Sequence, residues 1–178
     1  RLLAQILQSR PPIGRHHVNY PGGSIGSICL VACQHQSHDK FVGAHPIWLD
    51  VALSRNQPVF WFWPNVDAGA DGTSTGIRAY RESHDLENFH FFKNMDPIDF
   101  LKLLHHSKGL IGNSSVGIRE CAFLGVPVIN IGTRQNRRAR GNNVWDVDYN
   151  QSQIQSALSE IESSPRPQCS DVYGGGDA

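Results

Sequence analysis

Gly112-Asn-Ser-Ser-Val-Gly-Ile-Arg-Glu-Cys-Ala-Phe-Leu-Gly-Val-Pro-Val-Ile-Asn-Ile-Gly-Thr-Arg134 is the stretch whose reading decides the fold. The apolar pair Leu110-Ile111 just before it reads as the end of a buried strand. Asn113, Ser114 and Ser115 carry short polar side chains suited to capping a helix. Gly117 permits close backbone approach, and Ile118 to Leu124 has helical spacing of apolar residues. Gly125 and Pro127 stop that helix, and Val128 to Ile131 returns as a strand ending at Gly132. Strand, Ser/Gly turn, helix and strand make a βαβ unit whose helix start is open to an anion, which is a phosphate site in outline.

The same alternation extends outward from this stretch. Ile25 to Cys33 is a continuous apolar run suited to a strand covered on both faces, and it ends at Gln34-His35-Gln36. A helix is expected from about Ala44 to Ser54, a strand over Pro58 to Trp63, and a helix from about Thr75 to Arg81. Phe89 to Phe92 reads as a short strand, and Asp96-Pro97 as a helix start with Phe100, Leu101, Leu103 and Leu104 inside. Gly109 to Ile111 leads into the opening stretch; Val144 to Val147 is a last strand, Gln151 to Ile161 a closing helix, and Ser163 to Ala178 a loop. Short strands alternating with helices predict a parallel, doubly wound α/β sheet. Ligands of such sheets bind outside the carboxyl ends of the strands, where His35, Asn65, Ser114, Ser115 and Arg134 all fall.

The totals narrow the function. The 178 residues suit one domain, and 16 basic against 16 acidic residues leave no net charge, so bulk nucleic-acid binding is not expected and any anion site must be local. No apolar run approaches the roughly 20 residues that span a bilayer, so no membrane partner is expected. The chain begins at Arg1, not Met, and has no hydrophobic core that could serve as a secretion signal. That predicts a fragment, a processed piece or an incomplete gene model, and the unpaired cysteine spacing predicts a cytoplasmic protein. Residues 1–24, rich in Pro and Gly and holding the pair His16-His17, read as an extension or linker ahead of a domain at 25–178. Four cysteines show no C-x-x-C spacing, so buried thiols, no metal and no other cofactor are expected.

With those residues in hand, the chain resembles the hydrolysing UDP-N-acetylglucosamine 2-epimerases, above all the epimerase part of the bifunctional animal enzyme of sialic acid synthesis. The matching pieces are Val31-Ala-Cys-Gln-His35, Trp63-Pro-Asn-Val-Asp-Ala-Gly69, Ile111-Gly-Asn-Ser-Ser-Val-Gly-Ile-Arg-Glu120, Gly125-Val-Pro-Val-Ile-Asn-Ile-Gly-Thr-Arg-Gln135 and Tyr173-Gly-Gly-Gly-Asp-Ala178. The resemblance implies one half of a GT-B architecture, the UDP-binding C-terminal domain, with UDP or UDP-N-acetylglucosamine as ligand and a homo-oligomer for the full-length protein. The family reaction eliminates UDP through a 2-acetamidoglucal, and water then adds to give N-acetylmannosamine. Most acid/base carboxylates for that chemistry belong to the other domain, so this chain alone is expected to be inactive.

The resemblance also implies roles. Ser114 and Ser115 match the pair on the UDP phosphates, Glu120 the carboxylate on the ribose hydroxyls, and Arg134 an arginine that clamps the diphosphate. Asn65 and the Met95 backbone match nucleotide contacts, and His35 matches a histidine that would stabilise departing UDP. Arg78, Arg81 and Lys93 resemble bases of the animal enzyme's site for its CMP-sialic acid effector. Each residue has a plainer reading. The serines can be caps, Glu120 a solvated helix residue, His35 structural, and Arg78, Arg81, Lys93 and the run Arg137, Arg138, Arg140 surface bases. Two other functions stay open: a GT-B glycosyltransferase half, and a non-catalytic module that responds to nucleotides.

Overall fold

A computed structural model describes residues 28–31, 47–55, 57–63 and 70–174, without the side chains of 28–31 and 70–75. Six strands among them form one sheet: β1 (Ile28–Val31), β2 (Val59–Phe62), β3 (Phe89–Phe92), β4 (Gly109–Gly112), β5 (Val128–Ile131) and β6 (Val144–Val147). Their order is β3-β2-β1-β4-β5-β6, and every neighbouring pair is parallel. The expected doubly wound α/β sheet is therefore the fold. The chain winds outward from β1 to β3, then crosses back beside β1 and winds the other way through β4 to β6.

Burial follows from that order. β2, β4 and β5 are buried at every residue, as strands with helices on both faces must be, whereas the edge strands β3 and β6 are half-exposed. Successive side chains point to opposite faces, so β2, β4 and β5 each feed two cores. Trp61, Ile111, Ile129 and Ile131 pack with Trp48 and Val51 of α1 (Ile47–Leu53), Ile77 and Tyr80 of α2 (Ala70–Ser83), and Ile154 and Leu158 of α6 (Gln151–Ser163). Phe60, Phe62, Leu110 and Val128 face the other way, onto Leu103 and Leu104 of α3 (Pro97–His106) and Cys121 and Leu124 of α5 (Glu120–Leu124).

Local chemistry sets the ends of these elements. Asp96 caps α3, its Oδ1 accepting from the Ile98 N–H at 2.9 Å and the Asp99 N–H at 3.4 Å, with Pro97 in the first turn. On the opposite face, the Tyr80 hydroxyl donates to Asp50 Oδ1 at 2.8 Å, joining α2 to α1. Burial and that carboxylate push the Tyr80 phenol well above its ordinary range. Arg55 reaches Glu162 at 3.0 Å and so ties the end of α1 to α6.

Two expectations need correcting. The helix read over Ile118 to Leu124 is two short pieces, α4 (Ser115–Ile118) and α5, broken at Arg119 with φ −100° and ψ −74°. Gly117 accounts for the step. It brings the α4 backbone so close to the sheet that a Cβ would stand 2.8 Å from Val128 Cγ1, while α5 stands off on Cys121 and Leu124. Helix α2 also starts at Ala70, five residues before the expected Thr75. Gly72, Thr73, Ser74 and Gly76 are weak helix formers, and the packing of Ile77 and Tyr80 overrides that preference.

Candidate functional site

The sheet order reverses between β1 and β4, and in an open α/β sheet the crevice at that reversal, beyond the carboxyl ends of the strands, is where ligands bind. The segment leaving β4 there is Asn113-Ser114-Ser115. Ser114 is the cap of α4, its hydroxyl accepting from the Val116 N–H at 3.4 Å, and Ser115 opens the helix. The plain capping reading is thus correct for Ser114, and one long cap contact leaves its hydroxyl hydrogen available to donate. Four residues make too short a helix for a substantial macrodipole, so an anion here must be held by individual N–H and O–H donors.

The loop after β5 lies beside this segment, because Gly112 pairs with Asn130 in the sheet. From it, Gln135 Nε2 donates to the Asn113 carbonyl at 2.6 Å, and Arg134 Nη1 donates to the same oxygen at 3.3 Å. Asn113 is 0 % exposed and Gln135 2 %. Arg134, half-buried, uses one of its five N–H donors in this way. The loop that carries Arg134 and the segment that carries Ser114 and Ser115 therefore meet at the Asn113 carbonyl.

Glu120 is half-buried at the start of α5, and its Oε2 is enclosed with no hydrogen-bond partner among the described residues. That oxygen keeps its acceptor capacity unused in the fold. Met95 follows β3 and packs with Phe92 and Phe100 against the core under α3. In the sheet order β2 and β1 stand between β3 and β4, and no hydrogen bond among the described residues joins Met95 to the serine segment. His35 and Asn65 lie outside the described residues, as do residues 1–24 of the expected extension.

The bases divide by surroundings. Arg78, Arg81 and Lys93 are exposed, and the Arg81 guanidinium lies 4.4 Å over the Phe91 ring, a cation–π contact at the sheet edge. Arg137 and Arg138 are exposed, whereas Arg140 pairs with Asp146 at 3.1 Å. Cys121 is a buried thiol and Cys169 an exposed one. Among the described residues no group of three His, Cys, Asp or Glu side chains is arranged to hold a metal, and no helix is long and apolar enough to cross a membrane.

Sequence reasoning missed two members of this site. Asn113 reads as a cap but is the buried residue whose carbonyl anchors the segment, and Gln135 figured only as the end of a motif. Nothing in either residue type signals a bond across 22 positions of chain.

Comparison with known proteins places this arrangement in a family. The profile of the UDP-N-acetylglucosamine 2-epimerase family matches residues 45–178. The chain belongs to that family. It is 34 % identical over 121 residues to the UDP-N-acetylglucosamine 2-epimerase of Neisseria meningitidis serogroup B, a match that takes in 68 % of this chain and 31 % of the relative. The hydrolysing UDP-N,N'-diacetylbacillosamine 2-epimerase of Legionella pneumophila is 34 % identical over 128 residues, 72 % of this chain and 33 % of the relative. The chain thus spans about a third of the length of these epimerases. The crystal structure of the Neisseria meningitidis enzyme bound to UDP-GlcNAc superposes with a TM-score of 0.61 at 17 % identity, over 89 % of this chain and 42 % of that one. That likeness is one of fold, a Rossmann-like sheet forming one half of the two-domain GT-B architecture.

Proposed function

We propose that residues 25–178 are the UDP-sugar-binding domain of a hydrolysing UDP-N-acetylglucosamine 2-epimerase that makes N-acetylmannosamine, a sialic acid precursor. The observation that carries this reading is the junction at Asn113, where Arg134 and Gln135 hold the Ser114-Ser115 segment at the reversal of the sheet. In this reading the serines and the Arg134 fork hold the diphosphate, and Glu120 accepts from the ribose hydroxyls. Asn65 and the Met95 backbone contact the nucleoside, and a protonated His35 stabilises UDP as it departs. The chain's part in the reaction is to bind and orient the leaving group and to neutralise the charge that develops on it. Proton transfer at the sugar is left to carboxylates of a facing domain, which also excludes water from the intermediate. Arg78, Arg81 and Lys93 are the candidates for holding an anionic effector such as CMP-sialic acid.

Titration calorimetry with UDP tests the reading. Wild-type chain should bind, and Ser115→Ala or Arg134→Ala should weaken binding by about 1 to 3 kcal/mol, the range for losing a hydrogen bond to a charged group. Unchanged affinity in both variants would remove the phosphates from this rim. With the facing domain supplied, release of N-acetylmannosamine marks the epimerase and transfer to an acceptor marks a glycosyltransferase half. UDP binding without turnover marks a regulatory module.

A further inference from the structure

The Asn113 carbonyl takes two side-chain donors from a neighbouring loop, and that geometry fixes more than the oxygen. The C=O of Asn113 and the N–H of Ser114 belong to one planar trans peptide, so they point in opposite directions. Holding the oxygen against Gln135 and Arg134 therefore aims the Ser114 N–H away from the loop after β5. Among the described residues that N–H has no acceptor, which leaves it free for a ligand. Gln135 makes the shorter of the two bonds, 2.6 Å against 3.3 Å. Its amide is 2 % exposed, and its Oε1 has no partner among the described residues. A buried amide with half its hydrogen-bonding capacity unused is costly in a core, where an apolar side chain of the same length would fill the space without that penalty.

We propose that Gln135 is a positioning residue for phosphate binding: it orients the Asn113–Ser114 peptide so that the Ser114 N–H presents to the diphosphate. Arg134 shares the anchor and can also touch the ligand, whereas Gln135 is buried and acts through the peptide alone. This rests on the reading of the serine segment as the UDP diphosphate cradle.

Two variants of the full chain separate positioning from packing. Gln135→Met keeps length and bulk but cannot donate. Gln135→Glu keeps the shape and donates only while its carboxyl is protonated, and burial raises that carboxyl's pKa toward the measurable range. UDP affinity is measured by calorimetry between pH 5 and 8, each value taken as a ratio to wild type because the phosphate also titrates. Gln135→Met should bind UDP about threefold to tenfold more weakly at every pH, the loss expected from one neutral hydrogen bond. Gln135→Glu should be weaker at pH 8 and recover toward wild type as the pH falls. Uridine, which lacks phosphates, should bind all three proteins equally.

Wild type that takes up UDP beside a Gln135→Met chain of equal affinity sinks the positioning role and leaves the cradle standing. A flat pH ratio for Gln135→Glu, or an equal loss of uridine binding, also overturns it, since either points to general packing. Wild type that fails to take up UDP at all removes the cradle, and this role with it.

Discussion

Gly132 ends β5 with φ +75°, and a Cβ there would stand 2.6 Å from the ring of Tyr149. The left-handed backbone alone costs a residue with a side chain about 1–2 kcal/mol, and the aromatic ring must move as well. Gly132→Ala should therefore destabilise the fold by about 2 kcal/mol or more. Because Arg134 is two residues on, the variant should also weaken UDP binding. Urea unfolding that places the midpoint at the wild-type value would refute the first part, and equal UDP affinity the second. At this scale the sequence spoke unevenly. Glycine after a strand announces a tight exit, so the end of β5 and the rim position of Arg134 could be read directly. Serines before a helix announce a cap, which is the role Ser114 plays here. The buried amide of Gln135 and the enclosed oxygen of Glu120 depend on what the fold places around them, and a residue's type does not state that.

The elements were legible wherever apolar runs were short and well punctuated. The strands at β3, β5 and β6 stand where the runs Phe89 to Phe92, Val128 to Ile131 and Val144 to Val147 put them. Helix α3 begins at its Asp96-Pro97 signal, and that cap carries a stability prediction. Asp96 is exposed and satisfies two N–H groups, so Asp96→Ala should cost about 1 kcal/mol, while Asp96→Ser should recover most of it. Thermal unfolding of the pair checks this; equal midpoints for wild type and Asp96→Ala would mean water caps the helix as well. What periodicity could not show was the break at Arg119, because apolar spacing runs on through Cys121 and Leu124 as if the axis were continuous. It ignores how near Gly117 lets the backbone come to β5. The consequence reaches the proposed site: in that reading donors on a loop, and not the dipole of a long helix, hold the diphosphate.

At the scale of the whole molecule, one strand order places the rim and splits the core in two, and the alternating apolar strands and helices foretold both. Protons test how the second core is closed. The His105 imidazole is pushed below its ordinary 6.5 by burial first, then by the nearby Arg166 guanidinium and His106, against a smaller raising effect of a bond to the Leu124 backbone. Arg166 is held there because it donates to the carbonyls of Gly125 at 3.0 Å and His105 at 2.6 Å, strapping the segment after α6 across α3 and α5. Burial alone lowers His90, which stacks on Phe60 from the edge strand β3. A histidine whose folded pKa lies below its unfolded value favours the native state in its neutral form. Between the two values the unfolded chain binds more protons, so stability rises with pH. The contribution is full above the unfolded pKa near 6.5 and is lost as the pH falls through the lowered folded values. Urea midpoints should thus drop between pH 7.5 and 5.5, beyond any drop from surface carboxylates. The double variant His90→Gln with His105→Gln should flatten that part of the profile, since glutamine cannot take up the proton. A double variant whose midpoint falls as steeply as wild type would place the acid sensitivity elsewhere and leave the strap over α3 and α5 indifferent to pH.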